Sequence, residues 1–178
     1  MNAPYFGPLA LGGGPLVGDR LVRQVYVDEA GISQHEPVTF VAGVIVDADR
    51  QLVALERRIL EVRNRVVPEA ERSGFCFHAK DLYHGNNFFA IERWPDREER
   101  YKILEELASI PKEFSLPVFY GASKRDSFMK GSPKRPTQEA KLAPLIHANA
   151  YGVCVTITEY WMRQNTAKDE IAQIIARG

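Results

Sequence analysis

Residues 22–28 alternate apolar and polar positions around Val25 and Val27, and residues 38–46 form a nearly continuous run of Val, Ile and Phe. Both read as strands of an antiparallel hairpin joined by the turn region between them, the second covered on both faces. Asp47-Ala48-Asp49 offers an N-cap to a helix in which Leu52, Leu55, Ile59, Val62 and Val66 recur at helical spacing until Pro68. The charges between them (Glu56, Arg57, Arg58, Glu61, Arg63 and Arg65) form a solvated face. Gly74 to His78 read as a short strand. Pro95 suits the first turn of a helix with Tyr101, Leu104, Leu107 and Ala108 on one stripe. Leu116 to Ala122 read as a strand. Residues 139–163 give the longest helix, marked by Leu142, Ile146, Asn149, Val153, Ile157 and Tyr160, with Pro144 in its first turn or kinking it. Residues 167–176 begin one more helix, with Asp169 and Glu170 at its N-terminus, where acids favour the helix dipole. Trp94, Trp161 and Met162 fall in or beside helices and read as core or interface.

This order predicts an α/β fold, a mixed sheet with helices packed on it. No internal repeat and no linker divides the chain. Residues 1–20, rich in Gly and Pro, read as a flexible lead-in, and residues 21–178 as a single domain. The 178 residues suffice for a sizeable core, and 45% apolar with 10% aromatic residues is a globular composition. Lys+Arg and Asp+Glu both number 23, so no global field recruits nucleic acid and any attraction to phosphate is local. Two cysteines, Cys76 and Cys154, are too few for a disulfide framework and suit a reducing compartment. No run approaches the ~18 apolar residues of a membrane span, and the start lacks a signal peptide's basic region. A cytoplasmic protein without a membrane partner is the expectation.

The chemistry begins at Asp28-Glu29-Ala30-Gly31, where a strand ends in two carboxylates and a glycine. A carboxylate held rigidly at a sheet edge suits metal-dependent phosphoryl transfer, whose ions sit ~3.5–4 Å apart on oxygen ligands. Asp and Gly equally favour a plain turn. Successive strand residues point to opposite faces, so Asp28 and Glu29 share a site only if the strand ends or bulges there. A second constellation is His78-Ala79-Lys80-Asp81-Leu82-Tyr83-His84. Should it turn helical, His78 and Asp81 share a face at i,i+3 and offer a proton-transfer group and a further oxygen ligand. Its spacing is not that of a two-histidine zinc site, and Cys76 with His78 is a weak zinc pair. His78 reads equally as a hydrogen-bonded loop histidine, and His84, beside Gly85-Asn86-Asn87, as an exposed one.

Tyr26-Val27-Asp28-Glu29-Ala30-Gly31, then a buried strand, a helix and Phe77-His78-Ala79-Lys80-Asp81-Leu82 resemble a widespread bacterial family catalogued as domain of unknown function 3800. Its members carry an early Asp-Glu-Ser/Ala-Gly, a middle Glu-x-His-Ala and a late Gln-x-x-Asp. The resemblance covers roughly residues 22–163. It implies an RNase H-like scaffold and a nuclease or related phosphoryl-transfer hydrolase using Mg²⁺ or Mn²⁺. Asp28 is then the central metal ligand and Glu29 a second ligand or orienting acid, with His78 and Asp81 as nearby catalytic assistants. Two departures stand out. Cys76 occupies the family's middle Glu position, and no Gln-x-x-Asp occurs, since Gln138 leads to Lys141 and Gln173 to Ala176. The late acid is therefore absent or lies beyond Gly178, and the RNase H-like domain is expected to lack C-terminal elements.

Between Lys124 and Pro136 lie five cations (Lys124, Arg125, Lys130, Lys134 and Arg135) against the single acid Asp126, with Phe128 among them. Such a segment suits phosphate contact with base stacking, and equally a solvated loop. The rival to the enzyme is thus a catalytically inactive RNase H-like module binding nucleic acid through residues 124–135, or binding a protein partner. A second copy of the chain is a further candidate partner.

Overall fold

The computed structural model describes residues 10–11, 22–33, 36–129, 136–168 and 170–176. In chain order the elements are β1 (Ala10–Leu11), β2 (Val22–Ala30), β3 (Val38–Asp47), α1 (Leu52–Val66), α2 (Ala79–His84), α3 (Arg97–Glu113), β4 (Val118–Lys124), α4 (Arg125–Met129), α5 (Pro136–Asn165) and β5 (Ile171–Ala176), with 3-10 turns at Glu69–Glu71 and Asn87–Phe89. They fall into two compact units: residues 1–49 joined by residues 117–178, and residues 50–116. The class is mixed α/β, as the alternating patterns predict.

The first unit is built on a sheet of order β1-β5-β2-β3-β4. Strands β2, β3 and β4 form an antiparallel meander, with Asp28 opposite Ala42, Glu29 opposite Val41, and Val41 opposite Gly121. Strand β5 returns on the far side of β2 and runs parallel to it, Val25 beside Ile174. The two-residue β1 pairs antiparallel with β5. Alternation sorts the side chains onto two faces. Val25, Val27, Val41, Ile45 and Ala172 meet Ala150, Cys154 and Met162 of α5 in one buried cluster. Tyr26, Asp28, Phe40, Ala42, Val118 and Tyr120 occupy the opposite, exposed positions. Gly121 is required where α5 crosses β4, because a Cβ there would lie 1.9 Å from the Ala150 carbonyl oxygen.

Several expectations are corrected. Residues 171–176 are the strand β5, not a helix. Ile171, Ile174 and Ile175 fit a helical stripe, but β-branched residues suit a pleated surface and β2 offers an edge to pair with. Glu170 accordingly sits ahead of a strand and holds Arg23, while Asp169 lies outside the described residues. Strand β3 is covered on both faces only towards its end; Phe40 is 44% exposed. Residues 74–78 form no strand among the described residues. Phe75 and Phe77 instead pack edge to face, centroids 5.1 Å apart, in an aromatic cluster. The N-cap of α1 is Gln51, without a side-chain cap bond, and Asp47 is spent on Arg23. Pro95 precedes the N-cap of α3, Asp96, whose side chain accepts the Glu98 amide at 2.8 Å. The buried face of that helix runs through Arg100, Ile103 and Ile110, with Ala108 exposed. Pro144 lies well inside α5.

The second unit packs α1, α2 and α3 around Val62, Leu82, Phe89 and Ile103, with Trp94 against them. Arg100, buried in this unit, donates to the carbonyls of Leu82 (3.3 Å) and Trp94 (2.6 Å). Among the described residues no helix is long and apolar enough to cross a membrane.

Candidate functional site

Asp28 and Glu29 do not end their strand. β2 continues through Ala30, which pairs with Phe40, so the two carboxylates fall on opposite faces of the sheet. Asp28 is exposed on the side of Tyr26, its Oδ1 accepting the Glu29 amide at 3.0 Å. Glu29 follows Val25 and Val27 onto the side covered by α5, where its Oε2 lies 3.5 Å from Nε2 of His147. Much of the His147 ring is open, yet Nε2 itself is shielded from solvent and makes no hydrogen bond. Nearby along the same face, Asn149 of α5 donates to the Ser123 hydroxyl at 3.3 Å.

The turn after these acids is fixed by local chemistry. Gly31 has φ +74°, and a Cβ there would meet the Val38 carbonyl oxygen at 1.9 Å, so only glycine fits. The Thr39 hydroxyl donates to the Gly31 carbonyl at 2.8 Å. Arg125 closes the turn from the other side: its amide donates to Pro37 O, Nε to Glu36 O and Nη2 to Ser33 O. The guanidinium expected to meet phosphate is therefore engaged with backbone carbonyls. Lys124, the last residue of β4, is exposed. Lys130, Lys134 and Arg135 lie outside the described residues.

His78 and Asp81 belong to the second unit. His78 is the N-cap of α2 with extended backbone, its carbonyl accepting the amides of Asp81 (3.0 Å) and Leu82 (3.2 Å). Asp81, in the first turn, accepts from Asn87 Nδ2 at 3.0 Å and so braces the turn that follows the helix. Cys76 is exposed and Cys154 buried, and the two are not bonded in a disulfide; burial raises the Cys154 thiol above its ordinary value. Trp94, Trp161 and Met162 pack into the two cores as expected.

The residue that sequence reasoning missed is His147. Its signal was faint: a lone histidine on the stripe of α5 that carries Ala150, Cys154 and Thr158, all buried. A buried ion set was missed too. Arg23 binds Asp47 at 3.0 Å and Glu170 at 2.7 Å, with the carboxylate side chains 5% and 8% exposed.

For a divalent cation the fit is now definite in one respect. Two ions ~3.5–4 Å apart need converging oxygens, and Asp28 with Glu29 do not converge. Among the described residues no three His, Cys, Asp or Glu side chains gather. The groups that face each other are Glu29 Oε2 and His147 Nε2, a carboxylate–imidazole pair at 3.5 Å. Compared with protein-family models, curated proteins and solved structures, the chain gives no match.

Proposed function

We propose that this chain is an RNase H-like domain acting on phosphodiester bonds, a Mg²⁺- or Mn²⁺-dependent nuclease or related phosphoryl-transfer hydrolase. The observation that carries the reading is the strand order β4-β3-β2-β5, an antiparallel meander whose first strand is flanked by a parallel strand returning after a helix. A mixed sheet with helices packed on it suits the RNase H-like scaffold that the resemblance implies, and the acids lie towards the end of β2. Glu29 provides the carboxylate on the helix-covered face. His147 stands beside it as a group able to accept or hand on a proton. A bound divalent cation supplies activation of water and neutralisation of phosphate charge. Localisation in the cytoplasm and nucleic acid as partner belong to the same proposal.

The test is incubation of the chain with labelled single- and double-stranded DNA and RNA, with Mn²⁺, Mg²⁺ or chelator. Slow, Mn²⁺-dependent cleavage that is lost in Glu29→Gln is expected. No cleavage of any of the four at stoichiometric protein overturns the hydrolase. The divergence of Asp28 and Glu29, with Cys76 in the family's Glu position, favours a second reading: an inactive RNase H-like module binding nucleic acid or a protein. Oligonucleotide binding without cleavage supports that reading.

A further inference from the structure

We propose that the outer face of α5 is a self-association surface, on which a second copy of this chain docks its own α5. From Leu142 to Thr158 the helix carries no Asp, Glu, Lys or Arg. Its inner stripe, Ile146, Ala150, Cys154, Thr158 and Met162, is buried in its own chain. The other side is open: Leu145 is 58% exposed and Tyr160 63%, with Val153 and Ile157 exposed between them. A surface helix ordinarily sets charge towards solvent, as α1 does with Glu56, Arg57 and Glu61, and a helix that is apolar all round is a buried one. The polar side chains on the open side of α5 are already engaged. The Thr156 hydroxyl donates to the Gly152 carbonyl at 2.8 Å, and the Asn149 amide donates to the Ser123 hydroxyl at 3.3 Å. Both donors therefore keep a partner when the face is covered, which removes the main cost of desolvating it.

The face is also shaped to meet itself. Leu145, Asn149, Val153 and Ile157 form one row at i+4 spacing, a ridge. Ala148, Gly152 and Thr156 form the row of small residues beside it, and nothing lies within 4 Å of a Cβ built on Gly152. Helices pack by setting such a ridge into the groove of a neighbour. A two-fold axis beside Gly152 and Val153 lets each copy offer ridge and groove at once, the self-complementarity that a symmetric pair demands. In an antiparallel crossing the same axis turns Leu145 of one copy towards Tyr160 of the other. From Leu145 to Tyr160 the helix is ~24 Å long and ~10–12 Å across, so its outer half presents roughly 400–500 Å². Two copies then bury up to about 1,000 Å², the threshold of a specific interface. The dimer is accordingly weak and reversible, with a dissociation constant in the micromolar range. It stands or falls independently of the nuclease reading.

The experiment is sedimentation velocity on the full chain over a concentration series, with Val153→Glu and, as control, Val118→Glu on the exposed sheet face. Each variant is checked for folding by circular dichroism. A monomer–dimer equilibrium is expected for the parent and unchanged for Val118→Glu. Val153→Glu sets like charges together at the axis and weakens it at least about tenfold. Should Val153→Glu not fold, Val153→Cys and Val118→Cys in a Cys76→Ser background decide the matter with a short thiol crosslinker. Covalent dimers are expected from Val153→Cys and not from Val118→Cys. The proposal is overturned if the parent stays monomeric up to ~100 µM, far above a micromolar dissociation constant. A dimer indifferent to Val153→Glu, or crosslinked through Val118→Cys instead, overturns it as well. In a monomer, a slow Val153→Cys thiol shows the face covered by its own chain, and a fast one leaves it open to a foreign partner; either result removes the second copy.

Discussion

Gly121→Ala tests how α5 is seated and, through it, whether His147 is brought to Glu29. The added Cβ would lie 1.9 Å from the Ala150 carbonyl oxygen, 2.7 Å from the Cys154 amide nitrogen and 2.9 Å from the Ala150 carbonyl carbon. Even favourable C···O contacts need about 3.3 Å, so helix and strand must part by more than 1 Å. These are backbone atoms, and no side-chain rotation relieves them. Parting α5 from the sheet loosens its contacts at Ala150, Cys154 and Met162 together, and a gap of ~0.5–1 Å forfeits a quarter to a half of each dispersion well. Overpacking typically costs about 1–3 kcal/mol, and a rigid obstruction belongs at the upper end. We expect a loss of about 3 kcal/mol, a large share of the ~5–15 kcal/mol of a typical domain. Urea unfolding followed by circular dichroism and tryptophan fluorescence measures it, Trp161 reporting from beside Phe119 at 6.0 Å. Gly152→Ala in the same helix is the internal control. No atom lies within 4 Å of its would-be Cβ, so helix propensity alone acts and the variant gains about 0.5–1 kcal/mol. A Gly121→Ala loss below about 1 kcal/mol, or two glycine variants shifting the same way, refutes this seating of α5.

Arg23→Ala removes the guanidinium that pairs with Asp47 and Glu170, both nearly buried. Removing one partner from a buried ion set costs about 3–5 kcal/mol, to be read as a lowered urea midpoint, and a shift under about 1 kcal/mol would show the set to be solvated. In native protein at mildly alkaline pH a chromogenic disulfide reagent is expected to titrate the exposed Cys76 promptly. Cys154 is 1% exposed and its thiolate forms only at more alkaline pH than in a free thiol, so it reacts only on unfolding; two fast thiols in the native state would contradict the buried core.

The two hairpin strands were legible because alternation, turn residues and length all agree there. At residues 171–176 they do not. Ile171, Ile174 and Ile175 satisfy a helical stripe as well as a buried strand, and six residues are too few to separate the periods. What decides is the free edge of β2 alongside, a tertiary fact that no local pattern encodes. Residues 75–78 show the converse. Their alternation in burial is real, Phe75 and Phe77 inward and Cys76 and His78 outward, but alternation signals a strand only where a neighbour supplies a ladder. Here aromatic packing takes that place.

The candidate site turned on a smaller ambiguity of the same kind. Asp28-Glu29 reads as one paired-carboxylate site if the strand stops at Val27, and as two unrelated acids if it continues. Gly31 argued for the stop, since glycine marks turns, but the turn it makes begins three residues after Asp28. The ladder between β2 and β3 runs on to Ala30 and Phe40, and that extra length sends Asp28 to the exposed face and Glu29 towards α5. Whichever acid faces the helix then draws its partner from the helix, and the residue waiting there is His147. An acid pair adjacent in sequence therefore became a carboxylate–imidazole pair adjacent in space.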